Sequence, residues 1–346
     1  MTTKQRVFDL LSQNIGETVS GEKLAESCNV SRAAIWKAVK AIRQDGFLIE
    51  ATNNSGYTLA KNQTKDILSK QVLEYTLGQT YPEYGGSLIE YFDVLDSTNT
   101  YAKKLLAQDS SKYHQTIIVA ESQTAGRGRI GRTFESPGGT GVYLSLIITP
   151  KGGITQPAVI TASAAVAVCR AIKKVYGVQP AIKWINDIYV QNDGALKKAA
   201  GILTEGITNF ESGQIESAVI GIGVNISPND KIKKSSAKDI AGFITQAPAI
   251  QDAPQQAPAP SRAKLISEIA GQVFKILDQP LQDIITEYKS LMFLIGQTLT
   301  VYPLIGDEKT AYEARAIDVD ENAGLVVELK DGEKKTLSSG EVTLHK

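Results

Sequence analysis

One stretch limits what this chain can fold into more than any other: AESQTAGRGRIGRTFESPGGTGVYLSLII, from Ala120 to Ile148. Alternating apolar residues lead into it from Thr116 to Ala120 and out of it from Val142 to Ile148, a period of two that reads as strand, loop, strand. The loop sets Gly126, Gly128 and Gly131 among Arg127, Arg129 and Arg132. Glycine lets a ligand come close to the main chain, and guanidinium groups offer forked donors that suit carboxylates and phosphates. The loop is therefore expected to hold an anion; the plainer alternative is a solvated basic loop.

The spacing Gly126-x-Gly128-x-x-Gly131 also matches the dinucleotide fingerprint. That fingerprint needs a helix opening in the loop and an acidic residue about 20 positions further on. Phe134 to Gly139, FESPGG, cannot open a helix, and a strand follows it. The dinucleotide reading is excluded.

A chain of 346 residues has room for two or three domains. Its 37 basic residues balance its 37 acidic ones, so any nucleic-acid site must be local. Cys28 and Cys169 are too few for a disulfide framework, and His114 and His345 are too far apart to suggest zinc. The first nine residues lack the apolar core of a signal peptide and no run reaches the length of a membrane helix. A cytoplasmic protein with no membrane partner is expected.

Residues 1–62 read as a winged helix-turn-helix. Val7, Leu10, Leu11 and Ile15 recur at helical spacing; Ser20 caps a second helix ending at Cys28; Ser31 caps a third, with Ile35, Ala38, Val39 and Ile42 on its buried face. That helix also carries Arg32, Lys37, Lys40 and Arg43. The segments 47–50 and 57–59 flank Asn53-Asn54-Ser55-Gly56 as a hairpin. The order of elements places Ser31, Arg32, Ala33, Trp36, Lys37 and Lys40 toward DNA, in the manner of a recognition helix. The alternative is a solvated helix face.

A linker and a helix from Lys65 to Leu77 are expected next, opening a central region that runs from residue 63 to 295. Within it the sequence predicts a strand from Leu88 to Phe92, a helix that Ser97 is placed to cap, a long buried helix from Pro157 to Val175, and strands around Asn186. From about 231 to 260 a tract rich in proline, alanine and glutamine reads as a flexible insertion. Helices at 261–277 and 281–291 follow, and residues 296–346 are short strands separated by turns. The fold class expected is multidomain α+β with a mixed central sheet.

The glycine-arginine segment, with Glu121 to Ala125 before it and Ser136-Pro137 after it, closely resembles the signature loop of biotin protein ligases. Asp96-Ser97-Thr98-Asn99, Lys183-Trp184-Ile185-Asn186-Asp187, Lys198-Ala-Ala-Gly201-Ile-Leu203 and Gly221-Ile-Gly-Val-Asn225 resemble the family's other motifs in the same order. The resemblance implies formation of biotinyl-5'-AMP from biotin and ATP, and transfer of biotin to a lysine of a biotin carboxyl carrier protein. It implies that Ser97, Thr98, Asn99, Gln123, Gly126, Arg127, Gly128, Arg129, Lys198 and Gly201 hold biotin. Arg129, Arg132, Phe134, Lys183, Asn186 and Asn225 would hold the nucleotide, Lys198, Arg127, Arg129 and Asp187 would serve catalysis, and Asp187 would meet Mg²⁺. It further implies an SH3-like C-terminal β-barrel and, with the winged segment, a biotin-responsive repressor acting as a ligand-linked homodimer. Ile185 stands where the family usually has proline, and Phe134 where many members place tryptophan. A ligase whose winged segment does not bind DNA, and an adenylate sensor that transfers nothing, stay open as alternatives.

Overall fold

The computed structural model describes residues 2–52, 55–64, 66–109, 112–150, 153–154, 156–208, 214–235, 240–248, 261–303 and 308–344. The chain divides into two compact units, residues 1–85 with 255–267, and residues 86–254 with 268–346.

In the first unit, α1 (Thr3–Gln13), β1 (Thr18–Val19), α2 (Gly21–Cys28) and α3 (Arg32–Gln44) precede the hairpin strands β2 (Phe47–Thr52) and β3 (Gly56–Thr64). Capping follows the expectation: Ser20 Oγ accepts from Lys23 N and Ser31 Oγ from Ala34 N, satisfying helix-end donors. Asn29 turns the chain between α2 and α3 in the left-handed region, φ 52°. Val7, Leu11, Leu24, Cys28, Ile35, Val39 and Ile42 form the core. The short β1 was not foreseen; it joins a three-stranded sheet in the order β1-β3-β2. The hairpin tip at Asn53-Asn54 lies outside the described residues. The predicted helix from Lys65 begins later, as α4 (Lys70–Thr80), because Ser69 supplies the cap, and residues 61–64 extend β3 instead of forming a linker. Tyr75 of α4 packs edge-on to Phe8 and Phe47.

The second unit is built on a seven-stranded mixed sheet. Its strands are β4 (Ile89–Leu95), β5 (Ile117–Gln123), β6 (Gly141–Ile148), β7 (Ala181–Lys183), β8 (Asp187–Asn192), β9 (Ala195–Thr208) and β10 (Ile215–Asn225). The spatial order is β4-β5-β6-β10-β9-β8-β7, with only β4 and β5 parallel. Helix α5 (Thr98–Gln108) covers one face, where Ala102, Leu105 and Leu106 pack on Ile118, Ile147 and Val219. Helix α6 (Pro157–Tyr176) covers the other: its Thr161 hydroxyl meets Thr204 at 2.9 Å, one residue out of phase with the Gly201, Leu203 and Glu205 series.

The stretch expected to be a flexible insertion from about 231 to 260 is folded where it is described. It holds α7 (Asp230–Lys234), and Ile232, Ala241 and Phe243 make a small apolar cluster without regular spacing, which hid it from a periodicity search. Residues 249–260 lie outside the described set. Helices α8 (Arg262–Ile276) and α9 (Leu281–Leu291) follow, the opening residues of α8 counting with the first unit, where the Asp66 carboxylate accepts from Arg262 N at 2.9 Å and Nε at 3.1 Å.

The C-terminal strands β11 (Thr298–Tyr302), β12 (Tyr312–Val319), β13 (Leu325–Glu328), β14 (Lys334–Leu337) and β15 (Glu341–Leu344) form an antiparallel sheet in the order β14-β13-β12-β11-β15. Among the described residues β14 and β15 do not pair, so closure of this sheet into the expected SH3-like barrel is not shown. The edge at β14 exposes Lys334, Lys335 and Thr336, the charged kind of edge that resists further pairing. This sheet is fastened to the central one through Trp184, just after β7, whose indole Nε1 donates to the Ala323 carbonyl at 2.9 Å, and to α9 by the Lys289–Asp318 ion pair. No helix among the described residues is long and apolar enough to cross a membrane.

Trp184 is buried, so Trp184→Phe leaves the Ala323 carbonyl without its donor. It is expected to cost about 1–3 kcal/mol in urea unfolding followed through the second unit.

Candidate active site

Strand registers decide what the α5 face of the sheet offers. Tyr143, Gly223 and Gly201 lie abreast, then Ser145, Gly221 and Leu203, then Ile147, Val219 and Glu205. Two of these positions must lack a side chain. A Cβ on Gly221 would stand 2.2 Å from Asn99 Oδ1, and one on Gly223 would stand 2.4 Å from the Phe134 ring. The space left by glycine is filled from above by the start of α5 and by the residue that follows the arginine loop.

That loop is closed upon itself. Phe134 N donates to Gly126 O at 2.9 Å and Gly128 N to Arg132 O at 2.7 Å, which carries the arginines over one cavity. The cavity gathers Ser97, Thr98, Asn99, Gln123, Arg127, Gly128, Arg129, Arg132, Phe134, Lys183, Asn186, Asp187, Lys198, Gly201 and Asn225. Of the expected ligand-holding residues only Gly126 does not line it. It is buried behind, under the Phe134 carbonyl.

One end of the cavity is a neutral polar network. Gln123 Oε1 accepts from Thr98 N at 2.9 Å and lies 3.2 Å from Thr98 Oγ1, while Gln123 Nε2 donates to Ser136 Oγ at 2.8 Å. Ser145 Oγ is 2.7 Å from Thr98 Oγ1 and 2.6 Å from Asn99 Oδ1, two contacts for a single hydroxyl hydrogen. Ser97 caps α5, its Oγ accepting from Thr100 N at 3.4 Å.

The other end is charged, and the cations have protein partners. Lys198 Nζ is 2.7 Å from Asp187 Oδ1, an ion pair without good hydrogen-bond alignment. Arg129 Nη1 donates to Asn186 Oδ1 at 3.0 Å, and Asn186 Nδ2 donates to Ile202 O at 2.9 Å. Arg132 forms a forked pair with Glu341 of β15, at 3.0 and 2.6 Å. The bond to Arg132 holds the Glu341 carboxyl below its ordinary range against the opposing effect of burial. Burial lowers the Lys183 pKa, outweighing the attraction of Asp187 and Glu341, with Lys198 and Arg132 pushing the same way as burial. Lys198 itself is held from both sides: its N–H donates to Ile240 O at 2.8 Å and its carbonyl accepts from Gly242 N at 2.7 Å. The register skips Ala199 at this point, so Lys198 sits at a bulge.

Sequence reasoning missed four contributors. Ser145 left a trace, as the one polar residue between Val142 and Ile148. Glu341 carries only a likeness, with Ser339 and Gly340, to the family's C-terminal domain; Glu205 and the wall at Ile240 to Gly242 left no trace, since each is brought in by pairing or packing across long stretches of chain. In the first unit Ser31, Arg32, Ala33, Trp36, Lys37 and Lys40 are all exposed on α3. Lys40 Nζ lies 5.4 Å from the centre of the Trp36 ring. Arg43 is not part of that face: it donates to the Ile49 carbonyl at 2.9 and 2.7 Å.

Residues 91–225 match the Biotin/lipoate A/B protein ligase family and residues 3–58 match an HTH domain. The Bifunctional ligase/repressor BirA of Bacillus subtilis is 31% identical over 98% of this chain and 98% of its own length. The protein of that name from Escherichia coli is 29% identical over 95% of this chain and 94% of its own. In fold, the chain resembles the solved biotin protein ligase from Aquifex aeolicus in complex with biotin and ATP, with a TM-score of 0.57 at 21% identity, over 75% of this chain and 99% of that one.

Two substitutions probe this geometry. Gly223→Ala forces the Phe134 ring out of its place and is expected to weaken ligand binding by about tenfold or more while the protein stays folded. Lys183→Met removes a partly buried charge that the folded state tolerates poorly. The unfolded chain holds that proton to about pH 10.4, so wild-type stability rises with pH between the lowered folded value and there. The methionine variant is expected to show a higher Tm at neutral pH and to lose that slope, while adenylation collapses.

Proposed function

This chain belongs to the biotin protein ligases of the bifunctional ligase/repressor type, and on that premise we propose that it joins biotin to AMP at the expense of ATP and passes the biotin to a lysine of a biotin carboxyl carrier protein. One observation carries the reading: a single cavity has a neutral hydroxyl and amide network at one end and lysines and arginines at the other. That division suits a ligand with an uncharged ureido head and a carboxylate tail that must meet a phosphate.

A carboxylate oxygen attacks the α-phosphorus, a carbonyl–oxygen–phosphorus link forms, and pyrophosphate leaves. The step brings two anions together, so fixed cations aimed at the developing charge are its main requirement. Lys198 suits the point between carboxylate and phosphate, as a compact charge held on its main chain from both sides. Arg129 and Arg132 suit the phosphates, and Phe134 offers a ring face to adenine. Thr98 and Gln123 are assigned to the ureido head. In the second step the acceptor lysine amine attacks the acyl carbon and AMP leaves, a reaction that needs the anhydride kept from water by the closed loop.

Mg²⁺ commonly takes one or two carboxylates along with phosphate oxygens and water. Asp187 fits as one such donor, although Lys198 engages it, and no cluster of three His, Cys, Asp or Glu occurs among the described residues. The ion would lessen the charge of the triphosphate. The winged unit, with Trp36, Lys37 and Lys40 exposed on α3, is assigned to operator DNA. A homodimer formed on binding the adenylate would present two such helices, and by linkage DNA would tighten that dimer by the same factor.

Purified protein given biotin, ATP and a carrier domain is expected to release pyrophosphate and label the carrier. Lys198→Met should slow pyrophosphate release about 100-fold or more. Pyrophosphate release without labelling would instead favour the adenylate sensor, and operator binding that ignores biotin plus ATP would remove the repressor role.

A further inference from the structure

Glu205 does not line the cavity, yet it is bonded to what does. From β9 its Oε2 accepts from Asn99 Nδ2 at 2.8 Å, its Oε1 accepts from Lys103 Nζ at 2.8 Å, and Arg127 Nη1 stands 3.8 Å from the same Oε1. We propose that Glu205 is a positioning residue for ligand binding: its carboxylate fixes the orientation of the Asn99 amide and, through that amide, the direction of the Ser145 hydroxyl hydrogen, which leaves the Thr98 hydroxyl a lone pair toward the cavity. The inference rests on the ligase reading above.

The chain of reasoning is one of counting hydrogens. Asn99 Nδ2 has two, and both find acceptors, on Glu205 at 2.8 Å and on the Leu203 carbonyl at 3.3 Å. With the nitrogen held there, Oδ1 is turned against the bare main chain of Gly221 and toward Ser145 Oγ, 2.6 Å away. An amide oxygen only accepts, so Ser145 must spend its one hydrogen on it. Ser145 then has no hydrogen left for Thr98 Oγ1, 2.7 Å away, and Thr98 directs its own hydrogen to Gln123 Oε1 at 3.2 Å. What Thr98 keeps toward the cavity is a lone pair, the partner an N–H of a ureido group requires. Gln123 Oε1 accepts from both Thr98 N at 2.9 Å and Thr98 Oγ1 at 3.2 Å.

Glu205 is held ionised for this task. Burial alone would raise its pKa, but the bonds from Lys103 and Asn99 and the charges of Lys103 and Arg127 outweigh that and keep it below the ordinary value. A neutral amide of the same shape cannot replace it. Glutamine has one carbonyl for two donors, and its own N–H would face either the Lys103 ammonium or the Asn99 amide; turning Asn99 over relieves the conflict and reverses the hydrogen chain.

The test is calorimetric binding of biotin and of ATP to full-length wild type, Glu205→Gln, Glu205→Asp and Lys103→Met, with thermal melts of each. Glu205→Gln is expected to weaken biotin about tenfold or more while ATP affinity stays within about twofold. Glu205→Asp, which keeps a two-oxygen carboxylate, should recover most of the loss. Lys103→Met removes the ion pair but not the bond to Asn99 and should bind biotin nearly as wild type does. Unchanged biotin affinity in Glu205→Gln, or an equal loss in Lys103→Met, overturns the inference. Should Glu205→Gln fail to fold, the Glu205→Asp and Lys103→Met pair decides alone, a loss in the second overturning it. If wild type binds no biotin, it is the ligase reading that fails.

Discussion

The cavity exists because the sheet has no side chains where it needs room. Gly221 and Gly223 lie in the same strand two residues apart, on the face that α5 covers. Anything larger there would occupy the positions of the Asn99 amide and the Phe134 ring. The rest of the site follows from that bare patch. Asn99 reaches the main chain and from it Glu205 and Ser145, while Phe134 settles on glycine and brings the arginine loop down with it. Glycine is costly within a strand, because it buries nothing and loses much backbone freedom. Here the neighbouring strand β6 is buried throughout, as is most of β10 itself, and that packing offsets the loss.

Three cations of the site already stand beside carboxylates before any ligand arrives. Lys198 has Asp187 and Arg132 has Glu341, while Arg127 stands near Glu205. An arriving phosphate or carboxylate thus exchanges one anionic partner for another instead of meeting naked cations. Binding of this kind depends on fit more than on raw attraction. Because Glu341 comes from β15, the C-terminal sheet takes part in the site and is not merely attached to it.

Much of this was legible beforehand wherever the evidence was local. The caps at Ser20, Ser31 and Ser97, the buried stripe Ile35, Ala38, Val39 and Ile42, and the strand-loop-strand around the arginines each depend on residues within a few positions of one another. The helix expected at Lys65 was misplaced because the governing signal, the Ser69 cap, was weaker to the eye than the charged residues before it. The tract from about 231 to 260 reads as a flexible insertion because the apolar residues it does hold, Ile232, Ala241 and Phe243, are gathered by folding and have no period to read.

The order of residues along the chain determined most of the elements, the family and nearly all the expected groups that line the cavity, since these are carried by short motifs with local chemistry. Only the folded structure decided how those groups are held. Arg132 meets Glu341 across 209 positions and Asn99 meets Glu205 across 106. Such contacts are set by strand register and by which face of the sheet a residue lands on. A shift of one residue would send Ser145 and Glu205 to the α6 face with the composition unchanged, which is why the supporting groups of the site became visible only once the strands were paired.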